Sequence, residues 1–194
     1  KCAKTFFPLG DYITVNISSP NTPGLRDFHK EDVLRNLLSK INEIRKKSNF
    51  NKFFLLKLSP DLENSYVDGI IKLILEYKID GVILTNTTDK NRDSLLDDNK
   101  KETGGLSGKP LKDLSTASVK KFYKELKGQV PIIGVGGVDS GESAFQKIAA
   151  GASAVQLYTG LIYKGPTIIK EIKKELIVIL KNKVEIGSGS TVDR

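Results

Sequence analysis

Hydrophobic and polar positions alternate between two rhythms along this chain. Short apolar, β-branched runs are each followed by a polar or glycine-rich stretch, and then by a longer segment with helical spacing. Tyr12 to Ile17 precedes Glu31 to Lys46, and Phe53 to Leu58 precedes Leu62 to Tyr77. Gly81 to Thr85 is followed by a long polar stretch and then by Ser115 to Leu126. Pro131 to Val135 precedes Ser140 to Ala150, and Ala154 to Leu157 precedes Pro166 to Leu180. In Val33, Leu34, Leu37, Leu38, Ile41 and Ile44 the apolar positions recur with the period of one helix face. Asp139-Ser140 can cap the helix that Gly141-Glu142 opens, and Pro166 suits a first helical turn, where no N–H is needed. Runs such as FFLLKL and AVQLY are apolar on both faces, as in buried parallel strands.

This alternation predicts an α/β fold of five βα units around a parallel sheet. Two architectures satisfy it: a doubly wound open sheet, and a portion of an eight-stranded βα barrel. Five strands cannot close such a barrel, so a barrel would need three more strands from elsewhere. Residues 1–181 form the predicted domain. The Gly/Ser-rich end, residues 182–194, lacks apolar periodicity and is predicted to be a flexible tail.

Composition narrows the class. The 194 residues are 39% hydrophobic and 28% charged, which describes a soluble globular chain with a sizeable core. No apolar run approaches the roughly 20 residues of a membrane span, and the first residues lack the apolar stretch of a signal peptide. One cysteine, Cys2, excludes an internal disulfide and a cysteine-rich metal site. The net charge of +8 raises nucleic-acid binding. The lysines are instead dispersed over helical stretches among Glu and apolar positions, as on solvated helix faces. A basic balance also suits an anionic ligand or membrane surface.

Parallel-strand enzymes gather their chemistry at the carboxyl ends of the strands. The first run here ends at Asn16 and enters Ser18-Ser19-Pro20-Asn21. The second carries Lys57 inside an apolar stretch, where an ammonium needs a partner or a ligand. The third ends in Thr85-Asn86-Thr87-Thr88, the fourth in Gly134-Val135-Gly136-Gly137, and the fifth in Tyr158-Thr159-Gly160. TGGLSGKPL (Thr103 to Leu111) and GVGGV (Gly134 to Val138) let backbone N–H groups approach a ligand, with phosphate as the natural guest. The dinucleotide fingerprint G-x-G-x-x-G and a Walker loop are both absent. The single histidine, His29, lies among charged residues and reads as a surface side chain, which leaves no basis for His-centred acid–base or metal chemistry. Asp97-Asp98 reads as a solvated loop.

Six segments, NISSPNTPGLR, LLKLSPDL, GVILTNTT, ETGGLSGKPL, PIIGVGGV and AGASAVQLYTGLIYKGP, together resemble the dihydroorotate dehydrogenases of class 2, the membrane-associated, quinone-using group. They appear in family order from about residue 10 to about residue 180. The resemblance implies a (β/α)8 TIM barrel carrying FMN, of which this chain holds the last five βα units. The first three strands and the N-terminal region that receives quinone would lie elsewhere. It implies oxidation of (S)-dihydroorotate to orotate with quinone as acceptor, in de novo pyrimidine synthesis, by a protein held peripherally at the mitochondrial inner membrane or the bacterial cell membrane. No nucleic acid and no metal enter this reading.

By the same resemblance Ser19 matches the catalytic base that takes the proton from ring carbon C5, while a hydride leaves C6 for the flavin. Class 1 relatives carry Cys at that position, so Ser19 marks the class. Asn16, Asn21, Asn86 and Thr87 match residues that hold the substrate, and Asn16 and Thr85 match flavin contacts. Lys57 matches a lysine beside the flavin ring. Ser107, Gly108, Gly136, Gly137, Tyr158 and Thr159 match the surface for the FMN chain and phosphate. Ser59 stands where many relatives have Ala. The competing expectations are another FMN-dependent βα-barrel oxidoreductase and a catalytically incomplete half-barrel that serves assembly.

Overall fold

The computed structural model describes residues 2–48, 52–90, 92–93 and 95–183. Five strands, β1 (Tyr12–Asn16), β2 (Phe53–Leu58), β3 (Gly81–Leu84), β4 (Ile132–Val135) and β5 (Ala154–Gln156), form one parallel sheet in the order β1-β2-β3-β4-β5. Sequence order and spatial order coincide. A doubly wound sheet reverses its strand order at a switch point, so this sheet is the barrel-type alternative. Among the described residues β1 pairs only with β2, and β5 only with β4.

The helices are α1 (Cys2–Phe6), α2 (Glu31–Lys47), α3 (Asn64–Glu76), α4 (Lys112–Leu126), α5 (Gly141–Ala149), α6 (Thr159–Lys164) and α7 (Ile168–Lys183). Alternate residues of the strands sort to two faces. Phe54, Leu56 and Leu58 of β2, with Val82, Leu84 and Ile132, meet Leu34 and Leu38 of α2, Val67, Ile70, Leu73 and Ile74 of α3, and Val119, Phe122 and Leu126 of α4. Complete burial of such side chains contributes about 1.5–3 kcal/mol each, which makes this layer the main source of stability. The opposite face of β2 presents Leu55 and Lys57, level with Gly81 and Ile83 of β3. A smaller core of Val138, Ala144, Ile168 and Ile172 seats α7 on α5.

Ser140 caps α5 as its sequence suggested. Its Oγ accepts from Ser143 N at 3.2 Å, and Ser143 Oγ accepts from Ser140 N at 3.0 Å. Other boundaries shift for local reasons. Gly108, Lys109 and Pro110 start a 3-10 turn at Lys109–Leu111, so α4 begins at Lys112 rather than Ser115. The last helix begins at Ile168 rather than Pro166 and runs through Lys183, two residues past the expected domain boundary. The rest of the expected tail, residues 184–194, lies outside the described residues. β5 is half-exposed rather than buried, because it lies at a sheet edge.

Candidate active site at the carboxyl ends of the strands

The register places Asn16, the last residue of β1, beside Lys57 of β2. Beyond the strand ends, Asn86 bridges the first and third loops. Its Nδ2 donates to Asn16 Oδ1 at 3.1 Å and to Ser18 Oγ at 3.0 Å, while Ser18 Oγ donates to Asn16 Oδ1 at 3.0 Å. Ser18 is fully buried. The neighbouring Ser19 is half-buried, and its Oγ accepts from the backbone N–H of Asn21 at 3.2 Å. That contact curls Ser19-Pro20-Asn21 into a tight turn and leaves the serine proton free to donate. Asn21 is exposed. Asn86 Oδ1 accepts from Thr87 N at 2.8 Å, so both ends of this amide are committed.

A buried carboxylate ties the same loops from behind. Asp61, whose side chain is 3% exposed, accepts from Arg26 Nη2 at 3.0 Å and from Thr88 Oγ1 at 2.6 Å. Arg26 Nη1 also reaches Asp89 Oδ2 at 2.9 Å. The loops after β1, β2 and β3 therefore meet at one ion-paired node.

The glycine turns share a cleft of about 950 Å³ with the β2 and β3 strand ends; it is lined by Lys57, Thr85, Asn86, Thr87, Ser107, Gly108, Gly136, Gly137, Tyr158 and Thr159. Gly108 (φ +76°) sits so close to Thr159 that a Cβ there would meet Thr159 Cγ2 at 2.9 Å. Ser107 Oγ and Thr159 Oγ1 are 2.9 Å apart. At Gly137 (φ +71°) a Cβ would lie 2.5 Å from Lys112 Cβ. Only glycine allows both the backbone angle and the contact at these two positions. Burial holds Lys57 below the usual lysine pKa, and among the described residues it has no hydrogen bond or ion pair. Thr85 is buried, and its Oγ1 has no hydrogen-bond partner among the described residues.

The Dihydroorotate dehydrogenase family model matches residues 1–180. The chain belongs to the dihydroorotate dehydrogenase family. It is similar to "Dihydroorotate dehydrogenase (quinone)" of Psychromonas ingrahamii, with 49% identity over 176 residues, covering 88% of this chain and 52% of that protein. It is also similar to the mitochondrial "Dihydroorotate dehydrogenase (quinone)" of Mus musculus, with 47% identity over 178 residues, 91% of this chain and 45% of the mouse protein. The crystal structure of dihydroorotate dehydrogenase from Eimeria tenella in complex with ferulenol superposes with a TM-score of 0.88 at 37% identity, covering 93% of this chain and 54% of that one. The chain spans about half the length of the curated relatives it matches.

A dihydroorotate dehydrogenase needs a flavin, and the cleft offers groups that could suit one. The Thr85 hydroxyl and the Lys57 ammonium, both without a partner among the described residues, could meet a flavin ring. The close-packed Gly108, Gly136 and Gly137 turns could present backbone N–H groups to a phosphate. Ten of the residues marked in the sequence line this one cleft. Ser19 and Asn21 lie outside its lining, and so does Asn16, which Asn86 connects to it.

His29 differs from its expected surface position. The 3-10 turn Leu25–His29 folds the ring inward until it is 5% exposed. Burial first, and the Arg26 charge second, lower its pKa to about 4, so it is neutral at physiological pH. Sequence reasoning passed over three further residues. Asp61 carried a signal, since an aspartate directly after a proline in the turn beyond a strand can turn back to bind neighbouring loops. Arg92, whose guanidinium donates to Glu102 O at 2.8 Å and also to Gly104 O, gave none in a polar stretch. Lys147 was hidden within a helical pattern that tolerates lysine.

Proposed function

We propose that this chain forms the base, substrate and flavin-phosphate side of a quinone-dependent dihydroorotate dehydrogenase, with FMN as cofactor and (S)-dihydroorotate as substrate. The observation that carries the reading is the Asn86 bridge. It joins Asn16 and Ser18, beside Ser19, to the Lys57–Thr85 side of the cleft, which supports a hydroxyl base and a flavin site at the same strand ends. The printed names of the relatives favour the same substrate and acceptor.

In this reading Asn16, Asn21, Asn86 and Thr87 hold the substrate ring and carboxylate, because amides both donate and accept. Ser19 takes the C5 proton. A serine hydroxyl is a weak base at its ordinary pKa, so the proton must pass onward by a relay or water. Bound FMN would supply the acceptor for the hydride leaving C6. Lys57 would place a cation beside the ring, and Ser107, Gly108, Gly136, Gly137, Tyr158 and Thr159 would hold the ribityl chain and phosphate. The open edges of β1 and β5 would pair with the remaining strands of the barrel, the N-terminal half that would also admit quinone. No helix among the described residues is long and apolar enough to cross a membrane. In this reading the complete protein attaches peripherally, at the mitochondrial inner membrane or the bacterial cell membrane, through the part outside this chain.

The test is Ser19→Ala in the complete, flavin-loaded protein, followed by anaerobic rapid mixing with dihydroorotate. Loss of a positioned base slows flavin reduction by about 10²–10⁴-fold. Reduction at a near-normal rate would remove Ser19 from the mechanism.

A further inference from the structure

Lys147 of α5 is 0% exposed. Among the described residues it forms no ion pair. Its Nζ donates instead to the backbone carbonyl of Lys112 at 2.9 Å and to Thr116 Oγ1 at 2.6 Å, both in the first turns of α4. Burying an ammonium without a carboxylate is costly, and a methionine would fill similar space without that cost. The position therefore calls for a cation for some reason other than packing.

The surroundings supply the reason. The lysine stem runs alongside Gly134, where an added Cβ would meet Lys147 Cβ and Cδ at 3.2 Å. Lys112, whose carbonyl Lys147 holds, is the residue on which Gly137 rests. A Cβ at Gly137 would be 2.7 Å from Lys112 Cα and 2.9 Å from its N. Ser115 Oγ, one helical turn further on, donates to Val135 O at 2.5 Å. The first turn of α4 and the turn after β4 are therefore fastened together, with Lys147 beneath them. Burial lowers its pKa to about 8 while the charge of Asp113 opposes the shift, so the side chain remains largely cationic at neutral pH.

We infer that Lys147 is a positioning residue for the phosphate end of the flavin site: it anchors α4 under the Gly136–Gly137 turn and so fixes where that turn presents its N–H groups. This rests on the FMN reading. The inference concerns the phosphate end alone, which separates it from a general role in stability.

The complete protein is stripped of flavin and titrated with FMN and, separately, with riboflavin, which lacks the phosphate. Quenching of flavin fluorescence reports each dissociation constant. Lys147→Met is expected to weaken FMN binding by about tenfold or more, the scale of a lost charged hydrogen bond, and to change riboflavin binding less than about twofold. Thr116→Val, which removes one acceptor and keeps the shape, is expected to shift FMN alone by a smaller factor. It serves as the test if the methionine variant does not fold. Unchanged FMN affinity, or equal losses for both flavins, overturns the inference. A wild-type protein that binds riboflavin as tightly as FMN overturns the cofactor reading itself, a separate result.

Discussion

Replacing His29 with Gln should flatten the acid side of the stability profile. In the folded chain burial and the Arg26 charge lower the imidazole pKa from 6.5 to about 4. In the unfolded chain the ring titrates near its ordinary value. Between these two values the unfolded chain binds more protons than the folded one, so folding stability falls as pH falls. The contribution of the neutral buried ring is complete above pH 6.5, declines through the window from 6.5 to 4, and is gone below it. A gap of about 2.5 units at 1.36 kcal/mol each gives about 3 kcal/mol. Urea unfolding of the wild type and of His29→Gln, followed by circular dichroism at half-unit steps from pH 7.5 to 4, isolates this contribution, because the carboxylates titrate in both proteins. The wild type should lose about 3 kcal/mol relative to the variant across that window. Curves that stay parallel would show that His29 titrates alike in both states, and the burial argument would fail.

Three further outcomes are expected in the complete protein. Asp61→Asn removes one of the two carboxylates that Arg26 faces, leaving Asp89, and weakens the acceptor for Thr88, so thermal unfolding should show a loss of about 2–3 kcal/mol, and the Michaelis constant for dihydroorotate should rise as the three loops separate. Gly105→Ala would drive a methyl group into the Thr87 side chain and within 3.1 Å of Pro20 Cγ. An overpacking cost of about 1–3 kcal/mol should appear mainly as weaker substrate binding, with FMN content unchanged, as steady-state kinetics and flavin absorbance would report. Lys57→Met removes the cation beside the proposed flavin ring. A redox titration should show a lower flavin midpoint potential, and flavin reduction should slow by about tenfold or more; an unchanged potential would place Lys57 away from the ring.

The strand–helix alternation was legible because period 2 and period 3.6 are written in the apolar positions themselves, and β2 was bounded correctly at Phe53–Leu58. Strand order was not legible, since pairing between distant segments leaves no local pattern. The site residues at strand ends could be marked because a lysine or an asparagine beside an apolar run is anomalous. Lys147 could not, because its burial depends on Gly134 and on the first turn of α4, and a lysine in an amphipathic helix looks ordinary. His29 was misjudged for the converse reason. Its charged neighbours Arg26, Asp27 and Lys30 suggested solvent, but the 3-10 turn Leu25–His29 buries the ring at its last position while Asp27 stays exposed.

The sequential strand order also has a kinetic side. Each strand here finds its partner in the unit that precedes or follows it, so ring closure between neighbours stays short and its entropy cost small. A growing chain can add these five units in the order in which the ribosome delivers them. The contact that joins β5 to the start of a complete barrel spans the whole polypeptide. That seam should form last, and refolding of the full-length protein should show its slow step there.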